Sequence, residues 1–282
     1  MTQRPEQDAI HDTFVQLQAS VNRQLRKLTV TLSPAVIHET RISIRRLRVA
    51  LRAMKHQLAR SPRKRNLVPL RRFARDLEAI READARELAA KELTERYVFI
   101  AREESRQVLA VVAEKRAYAR RDLLRLMHTA AWKQRLAQVE RCSCASDMIL
   151  PLDTPVLVIR DAFARRHRRL RRALRHIGHN PRKLHRLRLR IKETRYLAEN
   201  FGSLLTMLPE RELRRLRQLQ NRLGEFHDNG CLRKWLRSQY DHQPIANNLC
   251  AVVDTRQTQL LKTIARLGKS MRKRPTAISI AA

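Results

Sequence analysis

Glycine and proline are scarce, 5 and 10 in 282 residues. That leaves too few turn residues for a sheet-rich fold, while Leu, Arg, Ala and Glu recur throughout, so the expected class is all-α. No apolar run approaches the roughly 18 residues of a membrane span; stretches such as Val108 to Ala113 are far shorter. Met1 to Ile10 carries Glu6 and Asp8 and lacks a signal-peptide core, so a cytoplasmic location is expected. The four cysteines, Cys142, Cys144, Cys231 and Cys250, do not make the paired CxxC or Cys/His set of a zinc site. They are expected to be inert, with no metal or cofactor. Aromatics number 12, leaving few rings to stack against bases. Acid is short as well: 27 Asp+Glu face 61 Lys+Arg, a net charge of +34. That excess speaks against an ordinary neutral metabolic enzyme and for a polyanionic partner. With 43% hydrophobic residues, the chain still has the means to bury a core.

The charge is concentrated. Thr40 through Arg75 contains no acidic residue and 13 Lys+Arg, and Ala162 through Lys192 repeats both features. Outside these segments 35 basic residues meet 27 acidic ones, a mixed-sign surface of the usual kind.

The two segments resemble each other. At an offset of 147, His38, Arg41, Arg45 and Arg48 align with His185, Arg188, Lys192 and Arg195. At an offset of 146, Leu70, Phe73, Leu77 and Ile80 align with Leu216, Leu219, Leu223 and Phe226, and Arg81 with His227. Two units in the same order argue for duplication. The expected organisation is an N-terminal repeat over 1–145 and a C-terminal repeat over 146–270, together forming one domain, with a flexible basic tail over 271–282. The boundary is placed near Cys142 to Pro155, where Cys, Ser, Asp and two Pro interrupt the helical pattern. About four helices are expected in each half. The scaffold segments run Pro5 to Leu28, Pro62 to Ala89, Lys91 to Met127, Trp132 to Arg141, Val156 to Ile177, Pro209 to Gln239 and Ile245 to Leu267.

Ile37, Ile44, Leu47, Leu51 and Met54 fall on the three-and-four spacing of a helix seam. One position along, His38, Arg41, Arg45, Arg48, Arg52 and Lys55 form a basic stripe about 25 Å long. The second seam, Leu184, Leu187, Ile191, Ala198 and Phe201, carries the stripe His185, Arg188, Lys192 and Arg195 before Glu199 ends it. Like charges three or four residues apart cost about 0.2–0.5 kcal/mol per pair. Ordinary surface helices avoid this by interleaving Glu, and here no acid does so from Arg41 to Lys55. One such stripe is equally well a solvated face, but its repetition favours a site for an extended anion. Arg outnumbers Lys by 49 to 12, and the planar guanidinium fork suits phosphate oxygens. His38 and His185 open the two stripes, either as donors to the anion or as structural ties between helices.

Nothing assembles into a catalytic constellation: no Gly-rich phosphate loop, GxSxG or HExxH occurs. Glu103-Glu104 and Glu82/Asp84 are expected in solvated or ion-paired roles. A binding protein is the better reading. Nucleic acid competes as partner on charge grounds, but no helix-turn-helix or zinc-finger signature is evident. A peripheral protein of anionic membranes or storage granules is a further alternative.

His38-x-x-Arg41-x-x-x-Arg45-Arg46-Leu47-Arg48 and Leu184-His185-x-x-Arg188-x-x-x-Lys192 resemble the two signature helices of CHAD, the conserved histidine α-helical domain. Leu219-Gln-x-x-Leu223-Gly224-Glu-x-His227-Asp228 is similar to that family's later motif, and His128-Thr-Ala-Ala-Trp132 to its mid-domain helix break. The resemblance covers about Pro5 to Arg274. It implies two pseudo-symmetric four-helix-bundle-like repeats whose basic helices line a central groove or pore that binds inorganic polyphosphate, without catalysis and with possible association with polyphosphate granules. Carried over by position, the binding set is His38, Arg41, Arg45, Arg48, Arg52, His185, Arg188, Lys192 and Arg195. A second tier comprises Lys55, Arg46, Arg72, Arg75, Arg222 and His227. The chain departs from the family where the first half usually reads Gly-x-x-Arg-Asp-x-Asp; here it is Glu78-Ala-Ile-Arg81-Glu82-Ala-Asp84. Glu193 and Glu199 interrupt the second stripe, which points to a weaker contribution from the second half. Neither the length nor the motif of a fused CYTH triphosphatase is present, so a stand-alone binding module is expected.

Overall fold

The computed structural model describes residues 3–54, 60–96, 102–144, 155–202, 208–240 and 243–272. Among them the only regular elements are ten helices: α1 (Gln3–Val30), α2 (Pro34–Ala53), α3 (Arg60–Asp76), α4 (Glu78–Arg96), α5 (Arg102–Met127), α6 (Ala130–Cys144), α7 (Pro155–Arg175), α8 (Pro181–Asn200), α9 (Glu210–Gln239) and α10 (Pro244–Arg272). The fold is all-α, as expected. No described helix is long and apolar enough to cross a membrane.

The stripe helices begin alike. Ser33 caps α2 by accepting from the Val36 amide, Asn180 caps α8 by accepting from the Arg182 and Lys183 amides, and a proline follows each cap. Their bounds are themselves 147 residues apart. The seam residues of both helices are buried, as are Leu70, Phe73, Leu77 and Ile80 and their counterparts Leu216, Leu219, Leu223 and Phe226.

Two expectations need correction. Six helices, not four, precede the 145–154 segment, because Pro62 to Ala89 divides at Leu77 into α3 and α4, and Lys91 to Met127 divides between α4 and α5. Neither Gly nor Pro lies between Arg71 and Ala90 to announce the first break. A long-range contact meets it: the Arg41 guanidinium donates to the Ala74 carbonyl, one of the last-turn acceptors that a helix ending at Asp76 leaves open. In the second half the corresponding stretch is one helix, α9. Secondly, Met271 and Arg272, expected in the tail, close α10 with Met271 buried. The rest of that tail and the expected boundary at 145/146 lie outside the described residues.

Two of the three apolar cores mix residues from both halves. One joins Val21, Leu25, Ile44 and Phe73 to Phe163, Leu197 and Phe201. Another joins Leu93 and Val112 to Leu232, Leu249 and Val253. The third, around Leu174, Ile191, Leu219 and Ile264, is confined to α7–α10. Phe14 and Phe201, with ring centroids 5.9 Å apart, fasten α1 to the end of α8. Shared cores of this kind hold α2 against α8 and α4 against α9, and this fixes where the basic stripes lie.

Candidate functional site

The stripes of α2 and α8 converge. Arg45 of α2 lies close enough to His185, Arg188 and Lys192 of α8 to disfavour a proton on each. It acts likewise on His38, Arg41 and Arg48 of its own helix. Arg45 is half-buried and, among the described residues, makes no hydrogen bond or ion pair. From α4, Arg81 joins the cluster and bears on His38, Arg41, Arg188, Lys192 and His227. Its one acidic partner among the described residues is Asp228 of α9, 3.8 Å away.

Crowding and burial depress the cations' affinity for protons. Lys192 is pushed down from 10.5 to about 6, first by burial and then by Arg188, Arg45 and Arg81, with Asp228 opposing. Burial, followed by Arg52, Arg45, Arg71 and Arg41, pushes Arg48 down to about 10. His38, His185 and His227 are all lowered, chiefly by burial. The rings of His185 and His227 lie 4.8 Å apart between centroids, so a proton on one opposes a proton on the other. His227 Nε2 also lies 3.8 Å from the Cys231 Sγ.

Three nitrogens here are buried without a hydrogen-bond partner: Arg48 Nε, Arg188 Nε and His185 Nδ1. An unmet buried donor costs about 1–3 kcal/mol. They belong to side chains of the two stripes, where N–H donors outnumber acceptors, a composition suited to several anionic oxygens at once.

Arg188 and Arg41 occupy aligned positions but make different contacts. Arg188 lies over Gly224 of α9, where an added Cβ would come 3.6 Å from its Nε. At the aligned position in the first half stands Glu78, whose Oε1 lies 3.5 Å from Arg41 Nη2. The first half's arginine is thus paired with a carboxylate at contact distance, while Arg188 makes no ion pair among the described residues and feels Asp228 from farther off. Glu193, expected to weaken the second stripe, turns instead toward Arg52, 3.8 Å away, and bears on Arg166 of α7. Glu199 does hold its own stripe: it pairs with Arg195 at 3.2 Å and with Arg217 at 2.9 Å.

The second tier disperses. Only His227 enters the cluster. Arg46 turns away, its Nε donating to Asn200 Oδ1 at 3.0 Å while the Asn200 amide returns a bond to the Arg46 carbonyl at 3.1 Å. Arg72 and Arg75 are exposed on α3, and it is their neighbour Arg71 that bears on Arg48. Arg222 is exposed and paired with Glu225 at 3.1 Å. Lys55 lies outside the described residues. Arg81, Arg71, Arg166 and Asp228 were absent from the expected set, although Arg81 had a signal, its alignment with His227.

No group of three or more His, Cys, Asp or Glu is placed to hold a metal among the described residues. Asp84 is ion-paired to Arg116 at 2.6 Å, and Glu103 to Arg106 at 3.5 Å. Cys142 and Cys250 are buried, Cys231 is exposed, and burial pushes the Cys142 thiol up to about 11 and raises that of Cys231.

Two solved structures share this architecture. PptA from Streptomyces chartreusis superposes with a TM-score of 0.74 over 95% of this chain and 99% of its own, at 14% identity. The crystal structure of the CHAD domain from the plant Ricinus communis gives 0.71 over 93% and 91%, at 17% identity. At such identities the likeness is one of fold. No curated protein matches the chain by sequence. The protein-family model of the CHAD domain matches residues 9–237, most of the chain and both stripe helices, and the protein belongs to the CHAD-domain family.

Proposed function

We propose that this protein is a non-catalytic binder of inorganic polyphosphate, which it holds against the facing stripes of α2 and α8. The observation that carries this reading is Arg45: a guanidinium without a partner among the described residues, half-buried among His38, Arg41, Arg48, His185, Arg188 and Lys192. A fold has no stability to gain from gathering these groups, since each raises the others' cost. A ligand that brings many negative charges along a line repays it. The acids at hand are single and already engaged with cations, Asp228 beside Arg81 and Glu78 beside Arg41, which gives no base or nucleophile a free role.

Polyphosphate is favoured over nucleic acid because the cluster presents donors at close spacing and no exposed aromatic ring to receive a base. Such a module would serve to bring the protein to polyphosphate or polyphosphate granules in the cytoplasm, or to sense the polymer.

The test is a titration with long-chain polyphosphate at physiological salt, competed by double-stranded DNA, RNA and anionic vesicles at equal total charge. Polyphosphate winning by orders of magnitude supports the reading; even competition by DNA or RNA would make the cluster a general polyanion surface. Arg45→Glu is the matching variant. It breaks no contact among the described residues, so it should abolish polyphosphate binding with helicity intact.

A further inference from the structure

Beyond the groove, the cations continue onto a second helix. Arg52 ends the described part of the α2 stripe, and Arg166 of α7 feels the charges of Arg52, Arg165 and Arg169. The outer face of α7 then carries Arg165, Arg168, Arg169, Arg172 and Arg175, all exposed and spanning about 15 Å along the axis. The side chains of Arg168, Arg169, Arg172 and Arg175 make no hydrogen bond or ion pair among the described residues. Arg165 meets Asp161 at 3.4 Å, the one acid on this face. Other basic side chains nearby are committed to the fold: Arg171 donates to the Met271 carbonyl at 2.6 Å, and Arg272 to the Arg175 carbonyl at 3.1 Å. Unpaired cations and employed ones therefore separate by face.

We infer that the outer face of α7 is an exit track for the polymer: a polyphosphate chain too long for the groove leaves it past Arg52 and Arg166 and lies along Arg168, Arg169 and Arg172. This rests on the polyphosphate reading and adds to it a preference for long chains. Three observations support a track over a solvated face. The cations are continuous with the groove through Arg52 and Arg166. No acid interrupts Ala162 through Lys192. The one acid where the two surfaces meet, Glu193, already lies between Arg52 and Arg166, holding the two arginines at the junction.

The test compares tripolyphosphate and a long-chain fraction on wild type, on the triple variant Arg168→Gln/Arg169→Gln/Arg172→Gln, and on Arg45→Glu, across a salt series. The triple variant should lose at least tenfold in affinity for long chains and keep its affinity for tripolyphosphate. Its log–log salt slope on long chains should fall by about 2, the value for three lost phosphate contacts at about 0.7 each. An unchanged affinity for long chains would overturn the track and leave α7 a solvated face. An equal loss on both ligands would also overturn it, placing these arginines in the groove. Arg45→Glu keeps the two readings apart: it should lose tripolyphosphate and long chains alike. If it binds both as wild type does, the groove reading fails, whatever the triple variant shows.

Discussion

Replacing Lys192 with Met should make the protein more stable and a poorer binder at once. The ammonium is held at about 6 against 10.5 in a free chain, so at neutral pH the unfolded state binds a proton that the native state largely refuses. At about 1.4 kcal/mol per unit, folding at neutral pH carries a penalty of order 5 kcal/mol as an upper limit. Partial exposure of the side chain trims this to roughly 2–4 kcal/mol. Met fills similar volume without the charge, and for a chain of this size the gain corresponds to a rise in Tm of about 3–7 °C. The sign fixes the pH course. Between 6 and 10.5 the unfolded state carries more protons, so wild-type stability falls as pH falls through that window, and the variant's advantage is largest near 6 and vanishes above 10.5. Denaturant melts at a series of pH values measure it. Calorimetry of polyphosphate binding at pH 8 in buffers of different ionisation enthalpy gives the second readout. Anion contact restores the Lys192 proton, so wild type should take up protons on binding and the variant fewer. A variant that is less stable than wild type across the window, or one with the same proton uptake, would refute the reasoning.

Affinity for polyphosphate should rise as pH is lowered from about 8 toward 6, because His38, His185, His227 and Lys192 are all depressed in the free protein and gain protons against the anion; a flat profile in constant salt would remove them from the site. Arg46→Ala should cost about 1 kcal/mol by removing the Nε donor to Asn200 Oδ1, the bond from the Asn200 amide to the residue 46 carbonyl remaining, seen as a lower denaturation midpoint, with affinity unchanged. Gly224→Glu should place a carboxylate beside Arg188 as Glu78 stands beside Arg41, lowering affinity several-fold in the same titration.

The helix class and both seams were legible because they depend on spacing alone, whereas the meeting of the two stripes was expected from the family resemblance. Ile37, Ile44, Leu47 and Leu51 are buried, and with the seam fixed the next position along the helix follows by geometry. What spacing could not convey is the destination of a long side chain. Arg46 and Arg45 are neighbours in the chain, yet one is spent on Asn200 and the other on no residue described. The break at Leu77 was invisible for the same reason, since the contact that meets it comes from an arginine 33 residues upstream of Ala74.

The difference between Gly224 and Glu78 links these points. In the second half a glycine lets Arg188 lie against an unbroken α9 with its Nε unmet. In the first half the aligned residue has a carboxylate, the aligned arginine is drawn to it and to the Ala74 carbonyl, and the helix divides there. Two aligned arginines thus make different contacts, one held by a carboxylate and a carbonyl, the other lying over a glycine of α9. The acids on the second stripe suggested the opposite bias, but Glu193 spends itself on the first half's Arg52 and Glu199 on Arg195 and Arg217. His185, Arg188 and Lys192 are left opposite Arg45, with Asp228 the one acid bearing on Arg188 and Lys192. If binding follows unpaired charge, Arg188→Gln should cost more affinity than Arg41→Gln, while Arg41→Gln should cost more stability. Paired titrations and melts of the two variants decide it, and the reverse order would show that alignment with the stripe matters more than freedom from acid.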